Sequence, residues 1–290
     1  MKRLSLALAA FAAASLLPPA PAAADGADAD PTRAAATAHA PPPADAQAPA
    51  DVAAPAQRDA AALLAARWRE ADEAWAARHL PGRLDAGDAA LRAADAIDPG
   101  RYETLWRRSR NLFWRADTAA TDGVRRRFAR EGWDAGEAAV EVRPDGVEGH
   151  YWAAVNAGIH AQAIGVIQAL TSGVEGPFLA HLHFALERAP GMEDGGPKAV
   201  LGRYHYELPW PRYDGEESIR ILREVVARHP RNLRAKLYLA ETLLEEDAPA
   251  ESLRLLEQIE KERGADPAES RLVKERAARL KPKVLEALVE

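Results

Sequence analysis

The chain has 290 residues, no cysteine and a formal net charge of −6. Without cysteine there can be no disulfide, thiolate metal site or cysteine nucleophile, and the acidic balance gives no nucleic-acid signature. Hydrophobic residues make up 48% of the chain but aromatics only 6%, so alanine supplies much of the apolar content and the tryptophans read as concentrated packing anchors.

Lys2 and Arg3 form a charged start, "LSLALAAFAAASLL" an apolar stretch, and "PPAPAAA" a small-residue cleavage region. This is the pattern of a secretory signal peptide over residues 1–24, cut after Ala24. The apolar run is shorter than the roughly 20 residues a membrane-spanning helix needs. With no cysteine near the cleavage site, a lipid anchor has no attachment point. The expected location is periplasmic or secreted. Residues 25–56 are nearly all Ala, Pro and Asp. That composition has too little bulky apolar surface to offset ordering, so it predicts a flexible tether.

From Gln57 to the C-terminus the helical period takes over, which predicts an all-α domain over 57–290. In the first helix Leu64, Trp68, Ala71 and Trp75 share one stripe. Pro81-Gly82 ends it, and "DAGDAALRAADAID" completes a first pair. A second pair combines "YETLWRRSRNLFWRADTA" with "VRRRFAREGWDAGEAAVEV". A third runs from a single helix, "GHYWAAVNAGIHAQAIGVIQAL", into "GPFLAHLHFALERAP". "GPKAVLGRYHYEL" with "GEESIRILREVVARHP", and "LRAKLYLAETLLEE" with "APAESLRLLEQIEKER", make two more. The last residues form a charged, solvated capping helix.

Pairs close at Pro99, Pro144, Pro190 and Pro230, separated by 45, 46 and 40 residues. A regular tetratricopeptide unit repeats every 34 or so, so these units are longer. Ala94, Ala139 and Ala185 each stand five residues before a closing proline, where a small side chain lets neighbouring helices approach, and Val225 takes that place before Pro230. Paired helices of this kind cannot bury their apolar faces alone. They stack into a tetratricopeptide-like α-solenoid with a hollow, concave surface.

Catalytic signatures are absent: there is no G-x-S-x-G, Walker loop, dinucleotide fingerprint or H-E-x-x-H. A hydrolase would need carboxylates converging from distant helices. His181 and His183 point about 200° apart on one helix, and His150 and His160 have no partner one turn away, so no metal and no cofactor is expected. Two sets remain as binding candidates. Tyr151, Tyr204 and Tyr206, with Asn156 and His205 adding directed hydrogen bonds, offer apolar faces with polar tips; Trp152 and Trp210 are expected to pack, Trp210 bracing a turn. Nine arginines lie between residues 101 and 130 against three acids. Arg107, Arg108, Arg125, Arg126 and Arg127 would either steer an acidic partner or form a solvated face.

The segment from His150 to Leu244, with "YWAAVNAG", "GGPKAVLGRYHYELPWP" and "DGEESIRILREVVARHPRNLRAKLYLAETLL", resembles the T-component (TatT-like) family of periplasmic tetratricopeptide-repeat proteins associated with TRAP transporters. The resemblance implies a non-enzymatic scaffold that binds a protein partner, a periplasmic solute-binding protein, and that can form homo-oligomers. A small-molecule binder, taking an organic acid or lipid in an aromatic-lined groove or pore, is the alternative.

Overall fold

A computed structural model describes residues 50–289, with side chains from residue 57 onward. The expected signal peptide and the expected tether up to residue 49 lie outside the described residues. The described chain is helical and contains no strand.

α1 (Ala50–Ala76) and α2 (Arg83–Ile97) form the first hairpin, and α3 (Tyr102–Asp117) and α4 (Asp122–Val142) the second. α5 (Val147–Ile164) leads through a short α6 (Val166–Thr171) to its partner α7 (Glu175–Arg188). α8 (Met192–Glu207) pairs with α9 (Gly215–Arg228), and α10 (Leu233–Glu245) with α11 (Pro249–Lys261). α12 (Pro267–Ala287) follows. The first helices of the pairs touch in succession, α1–α3–α5–α8–α10–α12. Each second helix also packs against the first helix of the next pair, as stacking repeats require.

Local chemistry sets these boundaries. Thr121, Asp214, Asn232 and Asp266 each accept a backbone N–H in the first turn of the helix that follows, a cap that contributes about 1 kcal/mol. At the other ends, Ala94, Ala139 and Ala185 are fully buried and Val225 is 1% exposed. Each accepts the hydrogen bond of its C-cap N–H, so the positions before the closing prolines do hold the tight contacts. Gly136 in α4 has the same role in mid-helix: an added Cβ would lie 2.7 Å from Ala153 Cα in α5.

Three expectations need correction. α1 begins at Ala50, so residues 50–56 are helical rather than tether; alanine's helix propensity carries the turn past Pro55. The single helix expected through Leu170 breaks at Gly165, whose φ of 93° lies outside helical geometry and which only glycine adopts readily. α12 has the expected solvated outer face but is more than a cap. Ala268, Val273, Ala277 and Val284 are buried, and its N-terminal turns reach back to the first hairpins. Arg78 at the end of α1 pairs with Asp266 at 2.6 Å. Asp117 at the end of α3 is clasped by Arg234 of α10 at 2.7 Å and Arg276 of α12 at 2.9 Å. The inner side of the row is therefore closed across by ion pairs rather than left as an open groove.

Candidate functional site

Two cavities remain inside this closure. Phe113, Val155, Val200, Arg234 and Tyr238 line both and form the wall between them. The larger encloses about 330 Å³. Its apolar floor comes from Ile159 of α5, Val166 and Leu170 of α6, Phe178 of α7 and Leu237 of α10. The break at Gly165 turns α6 so that its apolar residues reach this space. Asp117 lies against the floor, and its two arginines hold its carboxyl well below the usual carboxylate range despite burial.

The rim is polar. Arg203 pairs with Glu207 at 2.6 Å and with Glu241, and Gln162 Nε2 donates to Glu207 Oε1 at 3.0 Å. Tyr204 Oη donates to Glu175 Oε1 at 2.5 Å. Burial and that carboxylate push the phenol up to about 12, so it stays protonated, while Arg212 holds Glu175 below its ordinary value. Among these groups Arg125 differs. Its Nη2 donates to the neutral Gln162 Oε1 at 3.0 Å and its Nε has no partner. It is a cation beside an apolar cavity with no carboxylate bound to it among the described residues, which suits an anionic group carried on an apolar body. Beside the lining residues Val166 and Leu208 in the chain stand Ile167, 66% exposed, and Trp210, 87% exposed. The expectation that Trp210 braces a turn is thus overturned: the P-W turn carries its ring outward.

The sequence candidates separate. Arg125 and Tyr204 line the larger cavity, and Tyr151 lines the smaller one. His205 stacks edge-on to Tyr204, and Tyr206 packs against Tyr213 and under Arg203; neither lines either of these two cavities. Asn156 is fully buried, donating to Ser109 O at 3.0 Å and Trp152 O at 2.9 Å. It joins α5 to α3 and has no surface to offer a partner. The arginines do not form one patch either. Arg107 is held by Asp72 of α1 at 2.9 Å, and Arg108, Arg126 and Arg127 are exposed and line neither cavity.

Reasoning within single helices also missed a histidine pair. His150 Nδ1 of α5 lies 2.9 Å from His181 Nδ1 of α7, and His181 Nε2 is 3.0 Å from Glu137 of α4. Burial lowers the His150 pKa. No group of three or more potential ligands able to hold a metal occurs among the described residues. Gln162 and Arg203, central to the rim, carried no signal beyond the position of Arg203 within L-G-x-Y.

A family model for regulator of microtubule dynamics protein 1-3 matches residues 70–209, and a tetratricopeptide-repeat model matches residues 212–275. No curated protein matches the sequence. Among solved structures, a thermophilic tetratricopeptide-repeat protein of Thermus thermophilus is similar, with a TM-score of 0.54 and 16% identity. The match covers 78% of this chain and all of that one. At such identity the likeness speaks for the fold alone. Helix pairing, repeat match and structural neighbour agree on a tetratricopeptide-like helical-repeat architecture.

Proposed function

We propose that this chain is an exported, non-enzymatic scaffold that binds a protein partner at the larger cavity. An apolar side chain of the partner enters the cavity and a neighbouring carboxylate meets Arg125. The observation that carries this reading is the combination of an apolar space of about 330 Å³ with a rim cation that has no carboxylate partner among the described residues. Exposed Trp210 and Ile167 add the apolar surface that interaction hot spots use. A solute-binding protein of a TRAP-type transporter is the proposed partner, supported by the resemblance over residues 150–244. Export is supported by the pattern of residues 1–24. Homo-oligomers are compatible with this role.

The same cavity favours a second reading, an organic acid or lipid bound directly, because its volume falls within the range of small-molecule sites. Calorimetric titration with octanoate, using octanol as the neutral control, separates the two. Direct small-acid binding predicts a saturable octanoate signal that Arg125→Gln removes. Protein recognition predicts a flat octanoate titration, together with capture of a purified solute-binding protein that weakens in Arg125→Gln. Capture that is indifferent to this substitution, with octanoate also silent, would sink both.

A further inference from the structure

The smaller cavity, about 230 Å³, has a different chemistry. Trp75, Phe113, Tyr151 and Trp152 give it aromatic walls. Most charged groups lining it are satisfied by the fold: Asp266 by Arg78, Glu269 and Arg234 by each other, and Asp194 by His229 at 3.1 Å. Glu193, which is solvent-exposed at the mouth of the cavity, is the exception among the lining carboxylates, with no hydrogen bond and no ion pair among the described residues. Arg78 and Arg110 are near enough to feel it. Arg78 is committed to Asp266 and Trp75 O, and Arg110 to Asp72 at 2.8 Å.

The backbone holds Glu193 there. Glu193, Asp194 and Gly195 run consecutively through left-handed geometry, with φ of 49°, 57° and 82°. Side-chain-bearing residues seldom adopt it unless their surroundings enforce it. Here His229 fixes the Asp194 carboxylate and Asn232 Nδ2 donates to Asp194 O at 2.8 Å. Gly196 lets the chain pass Tyr151, since a Cβ there would lie 2.4 Å from the phenol oxygen. That oxygen also has no hydrogen-bond partner among the described residues.

We propose that this cavity binds a primary ammonium group on an apolar or aromatic body, with Glu193 accepting from the ammonium, Tyr151 Oη adding a hydrogen bond, and the aromatic walls enclosing the body. An unpaired carboxylate beside aromatic walls selects a cation by direct pairing, although the Trp75 ring itself is already covered by Arg78 and Arg110. Four acids, Glu193, Asp194, Asp266 and Glu269, line the cavity with three arginines; Arg78 and Arg234 are paired with carboxylates, while Arg231 donates to Gly264 O at 3.2 Å.

The test titrates the full chain with phenethylamine and phenethyl alcohol, with 3-phenylpropionate as a competitor, read by calorimetry and tryptophan fluorescence. The amine should bind saturably, at least tenfold more tightly than the alcohol, and the acid should not displace it. Glu193→Gln should weaken the amine at least tenfold, and Arg108→Gln, exposed and lining neither cavity, should leave it unchanged. No saturable amine binding, parity of amine and alcohol, or displacement of the amine by the acid would each overturn the proposal. These three readings need only the unmodified protein, so they stand even if Glu193→Gln fails to fold. Full amine affinity in a folded Glu193→Gln variant would overturn it as well.

Discussion

The two halves of the stack are held together by different means. From α8 to α12 the core is aliphatic: Leu222, Val225, Leu237, Leu243, Leu256, Ile259 and Val273 interlock in one cluster. From α1 to α7 the inner side is an aromatic hub. Trp75 meets Trp114 and Trp152 edge-on at 6.1 and 5.8 Å, Phe113 tilts against Trp152 at 5.3 Å, and the Arg78 guanidinium lies 3.9 Å from the Trp75 ring. Aliphatic layers fill the space between regularly repeating helices and leave it dry. Large rings with polar edges fill an irregular space and leave gaps between them. Both cavities border this hub, so the less regular half is where ligand chemistry can reside.

The contrast can be broken at its centre. Trp152 is 2% exposed and packs against Trp75, Phe113 and Tyr151, so Trp152→Ala should cost about 3–5 kcal/mol, read by denaturant unfolding. A loss below about 1 kcal/mol would mean that the hub is not a core. Next is the clasp. Asp117→Asn leaves Arg234 and Arg276 without their shared carboxylate and should cost about 3 kcal/mol. Because the clasp ties α10 and α12 to α3, a single unfolding transition should become two, resolved by calorimetry, as expected when repeats lose their coupling. The folded-state pKa of Asp117 is depressed. Its contribution is therefore present above the ordinary aspartate value of 3.8 and disappears only as pH falls through the lower folded value.

In the aliphatic half, Ile259→Val removes one methylene from a fully buried site and should cost about 1 kcal/mol without splitting the transition. A smaller effect concerns His150. Burial lowers its pKa from 6.5, so the folded protein binds this proton less readily than the unfolded chain. Stability should be full above pH 6.5 and decline as pH falls toward the folded value, and His150→Phe should flatten that decline in a series of melts. Smallest of all, Trp210→Ala should change stability by under about 0.5 kcal/mol.

The fold was legible because stacking imposes a pattern that one helix already displays. The stripe of Leu64, Trp68, Ala71 and Trp75 and the small residues before Pro99, Pro144 and Pro190 report burial along the chain itself. The closure was not legible. Asp117 and Arg276 are far apart in sequence and neither stands out within its own helix, so nothing local announces that they meet. The site was readable only in part for the same reason. Arg125 and Tyr204 were visible as residue types suited to recognition, whereas Arg107 and Asn156, equally suited, are consumed by Asp72 and Ser109. Glu193 is one of many exposed carboxylates, and only its left-handed turn and its place on the lining of the smaller cavity set it apart.

The most direct measurement of the central claim is photocrosslinking from benzoylphenylalanine introduced at Ile167, beside the larger cavity, and separately at Val142, which is also exposed but lines neither cavity. A binding site at the larger cavity predicts a defined adduct with the partner from position 167, none from 142, and loss of the adduct when Arg125 is changed to Glu. Equal capture from both positions, or an adduct at 167 that survives Arg125→Glu, would contradict it.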